Sequence, residues 1–152
     1  MSDDERVARL ETAEEVRGLL ATYARACDRR DLDGVAAVLD PDAVLTAGDH
    51  SWLGRDEVVA FLRAQWSGDP APQRHFISTI ALDRVTPNDA EATSYFLHVT
   101  AAAGRSLIGW GSYRDTFVRH DGVLVFRTKD ITMDVQVGLD EGWAAALMGV
   151  AR

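Results

Sequence analysis

Asp28 is the acid whose surroundings least suit a charge. In the run Leu-Leu-Ala-Thr-Tyr-Ala-Arg-Ala-Cys-Asp-Arg-Arg-Asp (residues 19–31), Leu20, Ala24, Cys27 and Asp28 share one helical face. A carboxylate at the edge of an apolar stripe, near a helix C-terminus, meets a desolvation cost and the negative end of the helix dipole. It needs a partner, and His75 in Arg74-His75-Phe76 is the candidate. In an Asp–His pair the carboxylate accepts from one ring nitrogen, fixes the tautomer and stabilises the imidazolium formed when the other nitrogen takes a proton. Inside a dry cavity that makes a general base. A developing anion then needs donors, and the hydroxyls of Tyr23 and Tyr113 are the natural ones.

The other candidates are substrate-binding positions. Trp52 and Trp110 would be apolar walls or indole donors. Phe96 and His98 share a strand face with Ala92 and Ser94, so His98 is either a second cavity histidine or an ordinary core or surface residue. Lys129 and Met133, near the end of the last strand, complete the set. Taken alone, Asp28 fits a helix-end acid bonded to Arg29 or Arg30, and His75 fits a structural histidine beside Arg74. Pairing with Asp28 raises His75, while helical phase alone leaves Asp28 evenly balanced. His50 and His120 fall in turns and read as solvated. Metal binding through Asp28, His75 and His98 lacks His-x-His or His-Glu-x-x-His spacing, so no metal is expected. Ser–His–Asp hydrolysis lacks a Gly-x-Ser-x-Gly elbow. Cys27 is alone, which excludes an intrachain disulfide and reads as a small helix hydrophobe.

The elements that position these residues follow from periodicity and breakers. Residues 1–10 read as a flexible acidic lead-in, with Thr12 and Glu15 at capping-box spacing opening the first helix. Asp31 caps a second, Leu32 to Leu39, ended by Asp40-Pro41-Asp42. Ala43 to Ala47 is a short strand closed by Gly48-Asp49. Gly54-Arg55-Asp56 leads into a third helix, with Val58, Val59, Phe61, Leu62 and Trp66 on its buried side. Four strands follow, near 74–85, 90–102, 106–119 and 123–136, and Asp121-Gly122 is the strongest hairpin turn among them. Short connections between them imply an antiparallel meander, so the class is α+β. Residues 138–152 form a tail, with Trp143, Leu147 and Met148 on one helical face, covering a pocket mouth or an interface.

At 152 residues and 47% hydrophobic composition the chain suits one globular domain, spanning 11–137. A net charge of −8, with Lys129 as the single lysine, argues against nucleic acid and anionic membranes. No apolar run is long enough to span a bilayer, and the polar N-terminus lacks a secretory pattern, so a cytoplasmic location is expected.

Several stretches then fall in register with a known family. Tyr23-Ala-Arg-Ala-Cys-Asp28-Arg-Arg-Asp31-Leu32-Asp33-Gly34, Leu39-Asp40-Pro41-Asp42-Ala43-Val44, Gly54-Arg55-Asp56-Glu57-Val58, Arg74-His75-Phe76, Gly111-Ser-Tyr113-Arg-Asp115 and Arg119-His-Asp121-Gly122 occur in that order. Over roughly residues 9 to 135 the chain resembles the SnoaL-like branch of the NTF2-like superfamily. Its pattern is closest to the group containing scytalone dehydratase and hexachlorocyclohexane dehydrochlorinase. The resemblance implies a cone-shaped α+β barrel, three helices packed on a strongly curved antiparallel sheet. It also implies a cofactor-independent lyase or isomerase, with Asp28 and His75 as the catalytic pair and a hydrophobic small molecule as substrate. The alternative is a non-catalytic binding or dimerising scaffold on the same cone. A half-apolar outer sheet face would make the protein a homodimer or trimer. The chain departs from the family at Leu124-Val125, where Trp and a basic residue are usual, and at Lys129, in place of an Arg further along that strand. Related epoxide hydrolases use an Asp–Arg–Asp triad. Here Arg114 and Asp115 are strand neighbours on opposite faces and cannot both face a pocket.

Overall fold

The computed structural model describes residues 1–68, 72–102 and 105–140. Helix α1 (Asp3–Arg29) begins well before the expected Thr12 cap. Ser2 caps it instead: its side chain accepts from the Glu5 N–H, the Glu5 side chain accepts from the Ser2 N–H, and Asp3, Asp4 and Glu5 face the positive end of the dipole. The acidic lead-in is thus the first turn of the helix. Thr12 lies mid-helix and fully buried, its hydroxyl donating to the Ala8 carbonyl at 3.0 Å.

Helix α1 ends abruptly. Arg30 adopts a left-handed conformation (φ 55°), the Arg30 N–H reaches the Cys27 carbonyl, and the Asp31 N–H returns to the Ala26 carbonyl at 2.9 Å. Asp31 then caps α2 (Leu32–Ala37) through the Gly34 N–H, as its position in the sequence implies. Asp28 is therefore carried on the last helical turn, held rigidly by the reversal that follows it.

Strand β1 (Leu39–Ala47) starts earlier than expected and runs through Pro41, which falls within a register irregularity between Leu39 and Val44, where a missing N–H breaks no ladder bond. Gly48 and Asp49 turn it into β2 (His50–Leu53), a short edge strand that periodicity did not separate from its loop. Helix α3 (Arg55–Gln65) follows, burying Val58 and Leu62. Strands β3 (Gln73–Val85), β4 (Asp89–Ala102), β5 (Arg105–His120) and β6 (Val123–Gly138) lie within one or two residues of the expected spans. Asp121 (φ 49°) and Gly122 (φ 80°) supply the two positive φ angles of a two-residue hairpin turn.

The sheet order is β2-β1-β6-β5-β4-β3, antiparallel throughout except for the parallel β1–β6 pair. Its inner face and the buried sides of the helices enclose a largely aliphatic core in which the rings of Phe117 and Phe126 pack with centroids 4.7 Å apart. The outer face leaves Phe76 and Tyr95 more than half exposed. Among the described residues no helix is long and apolar enough to cross a membrane. Trp143, Leu147 and Met148 lie outside the described residues.

Candidate active site

Strand β3 brings His75 to Asp28. Gln73 and His75 are two residues apart and face inward together. The Gln73 side-chain amide donates to the Cys27 carbonyl at 2.6 Å, fastening the last turn of α1 to the start of β3. One turn-end residue later, Asp28 Oδ1 accepts from both the His75 backbone N–H at 3.0 Å and the ring Nδ1 at 2.7 Å. That arrangement makes Nδ1 the protonated nitrogen and leaves Nε2 with its lone pair. Arg74 lies 3.8 Å from the second carboxylate oxygen, so the cation beside Asp28 is Arg74 rather than Arg29 or Arg30. The Asp28 side chain is 8% exposed, and a carboxylate so enclosed survives because three donors or charges face it.

The pair opens onto a cavity of about 220 Å³. Tyr23, Cys27, Tyr113 and Phe96 line its depth, His75, His98 and Gln73 one side, and Leu62, Gln65 and Trp66 of the α3 end another. Ile131 and Met133 of β6 complete it, Met133 standing 45% exposed at the rim. A depression of about 400 Å³ on the opposite side of the sheet, bordered by Thr93, Ser112, Arg114 and Asp130, has no such acid–base pair.

His98 pairs with His75 across β3 and β4, and the two rings stack with centroids 4.4 Å apart. Burial first, and then the neighbouring His75, hold the His98 pKa down to about 4, so this ring is neutral at pH 7. Its Nε2 is buried with no hydrogen-bond partner among the described residues. Burial raises the phenols of Tyr23 and Tyr113 well above their ordinary value, so both stay protonated and can donate. The Cys27 thiol is pushed up to about 12, chiefly by burial, against the lowering effect of its bond to Tyr23 and of Lys129.

Of the residues singled out in the sequence, Tyr23, His75, Phe96, His98, Tyr113 and Met133 meet around this cavity, with Asp28 behind His75. Three do not line it. Trp52 stacks on Phe61 at 3.7 Å, bracing β2 against α3. Trp110 lies between the buried, inward Gly109 and Gly111, so strand alternation sends it to the outer face. Lys129 lies below the cavity floor: it is 1% exposed and paired with Asp115, both Nζ–O distances being 3.1 Å. His120, expected in solvent, is half exposed and lies 3.4 Å from the buried Asp40 carboxylate. Gln73, Gln65 and Trp66 were not anticipated as lining residues. Gln73 was within reach of sequence reasoning, since it is two residues before His75 on the same strand face. Among the described residues no group of three His, Cys, Asp or Glu side chains could hold a metal ion.

Comparison with known proteins bears on the family and the fold. No curated protein matches the chain. A scytalone-dehydratase-like protein from Novosphingobium aromaticivorans superposes with a TM-score of 0.79 at 21% identity, over 87% of this chain and 90% of its own. A hexachlorocyclohexane dehydrochlorinase from Novosphingobium barchaimii gives 0.78 at 18% identity, over 88% and 94%. A Catenulispora acidiphila protein, in complex with S-DNPA, gives 0.71 at 25% identity, over 80% and 92%. The SnoaL-like domain model matches residues 8–130, a span that takes in α1 from its second turn, Asp28, His75 and most of the sheet, and the chain therefore belongs to the SnoaL-like family, with the NTF2-like α+β cone as its fold.

Proposed function

We propose that the protein is a cofactor-independent lyase or isomerase acting on a small hydrophobic molecule, with His75 as general base and Asp28 as its orienting partner. The observation that carries this reading is the 2.7 Å contact between His75 Nδ1 and Asp28 Oδ1 at the wall of an apolar cavity. His75 Nε2 takes a proton from a carbon next to a carbonyl or a leaving group. The C–H electron pair becomes the new C=C bond. In an elimination the C–X bond breaks and, where X is hydroxyl, the imidazolium returns its proton so that water departs. In an isomerisation the proton is delivered instead to another carbon of the same molecule. Asp28 stabilises the imidazolium meanwhile, and Tyr23 donates to the substrate oxygen as it gains negative charge. His98, neutral and stacked on His75, backs the base without competing for the proton. Elimination is also what the names of the dehydratase-like and dehydrochlorinase relatives describe.

The cavity limits the substrate. About 220 Å³ lies below the usual range of roughly 300–1,000 Å³ for drug-sized ligands and suits a compact ring. The test is a screen of ring ketones and alcohols for proton exchange and elimination with wild type, His75→Ala and Asp28→Ala. Each substitution is expected to lower kcat by ~10²–10⁴-fold. Activity that survives both would refute the mechanism.

A further inference from the structure

The base end of the cavity is accounted for, but its floor holds a charge that the reaction as described does not use. Lys129, the single lysine of the chain, is as buried as any core leucine. Its Nζ lies 3.6 Å from the centroid of the Tyr113 ring, 4.6 Å from Tyr23 and 5.0 Å from Phe126, with the Asp115 carboxylate completing its surroundings. Register explains the placement: Ala92, Asp115 and Lys129 form one inward rung, and Ser94, Tyr113 and Ile131 form the rung above it, at the cavity. The two lining tyrosines therefore stand on a cation. Stability is a poor reason for such a pair, because well-packed apolar residues of similar volume usually serve a core as well or better. A fixed positive pole has another use. It meets the aromatic faces directly, with its counter-charge beside it in the same rung. Burial pulls the Lys129 ammonium down and the Asp115 carboxyl up, and the contact between the two opposes both shifts.

Building on the proposed proton abstraction, we propose that Lys129 is a positioning residue that acts through Tyr23 and Tyr113, holding their rings and polarising their hydroxyls so that the cavity floor favours an oxygen gaining negative charge, as a carbonyl does on becoming an enolate. The base and the anion-stabilising group then occupy different ends of one cavity, His75 at the wall and the two phenols over Lys129 at the floor. Substrates are thereby selected for a carbonyl or equivalent acceptor reaching the floor.

The probe is p-nitrophenol, a compact ring whose ionised form absorbs differently from the neutral one, titrated with the intact protein across pH. Wild type is expected to bind it with its ionisation midpoint at least one pH unit below that in water, a tenfold gain in the phenolate fraction. Lys129→Met with Asp115→Leu, which removes both charges and leaves none unpaired, is expected to abolish the shift while keeping the circular dichroism of wild type. Tyr113→Phe keeps the ring over Lys129 and removes one hydroxyl, and is expected to lose most of the shift, so the result does not hang on one variant. His75→Ala should retain it. A shift that persists in the folded double variant overturns the proposal, and so does one that vanishes in His75→Ala, since the phenol would then be ionising at the base. Because the titration involves no turnover, its failure leaves the His75 mechanism standing, and loss of that mechanism leaves the titration readable.

Discussion

Lys129→Met alone is the sharpest structural perturbation available. Lys129 and Asp115 are each 1% exposed, and both carboxylate oxygens lie 3.1 Å from Nζ, so removing the ammonium strands a carboxylate with no water to solvate it. Breaking a buried pair from one side costs roughly 3–5 kcal/mol. For a domain of this size each kcal/mol lowers Tm by about 2–4 °C, so the single variant should melt roughly 6–20 °C below wild type. The double variant Lys129→Met with Asp115→Leu should recover most of that loss, because no charge remains to be desolvated. The deficit of the single variant also has a pH signature. Burial raises Asp115, and without Lys129 nothing opposes it. A folded-state acid pKa raised above the unfolded value favours the folded state most where the group is protonated in both. The deficit relative to wild type should therefore be smallest in acid and grow as pH rises from the ordinary carboxylate range up to the raised value. Differential scanning calorimetry or urea titration across pH measures all three proteins. A single-variant loss under about 1 kcal/mol, or a double variant no more stable than the single, would refute the assignment of a charged pair sealed in the core.

Three further outcomes follow from the cavity wall and the sheet. His98 titrates near 4 when folded against about 6.5 unfolded, so the unfolded chain binds more protons between those values and stability falls as pH drops from 6.5 towards 4. The full shift would be worth ~3 kcal/mol, which partial exposure of the ring reduces to roughly 1–2 kcal/mol. Urea titrations of wild type and His98→Phe should diverge in that window, and parallel curves would show that His98 is not buried neutral. Gly111→Ala places a Cβ 1.9 Å from the Thr132 carbonyl oxygen, a backbone atom that cannot step aside, so a loss of ~3 kcal/mol or more is expected in the same assay. Cys27, with its thiol pushed up to about 12, should resist iodoacetamide at pH 8 in the native protein and react once unfolded, with mass spectrometry reading the single adduct.

Local chemistry made much of this legible. The Asp121-Gly122 turn, the Asp31 cap and the four long strands follow from residue type and spacing, whereas helical phase alone leaves Asp28 evenly poised between a capping acid and a partner of His75, and the family resemblance tips it. What escaped did so for reasons of context. The first turns of α1 leave Val7 and Leu10 exposed, so no apolar stripe marks them, and only the Ser2–Glu5 box announces the helix. Strand β2 is four residues long and mostly exposed, too short for alternation to register. Trp52 and Trp110 carry the right chemistry for a pocket, but their faces are set by pairing partners that type alone does not name.

Lys129 is the instructive case, because its burial is decided by one extra residue. From the hairpin turn, Val118 pairs with Val125 and Phe117 with Phe126, and continuing that register would set Asp115 opposite Thr128. A bulge between Thr116 and Phe117 moves the register by one, so that Thr116 meets Thr128 and Asp115 meets Lys129. A one-residue slip exchanges the faces of a strand. Phe126 and Lys129, three residues apart, thus both point inward, which an unbroken strand would forbid. An ideal hairpin would have sent Lys129 to solvent and left Asp115 beneath the tyrosines without a counter-charge. The bulge between Thr116 and Phe117 bends the sheet and also puts the single lysine under the cavity floor: a β6 paired without it would set Thr128, not Lys129, opposite Asp115.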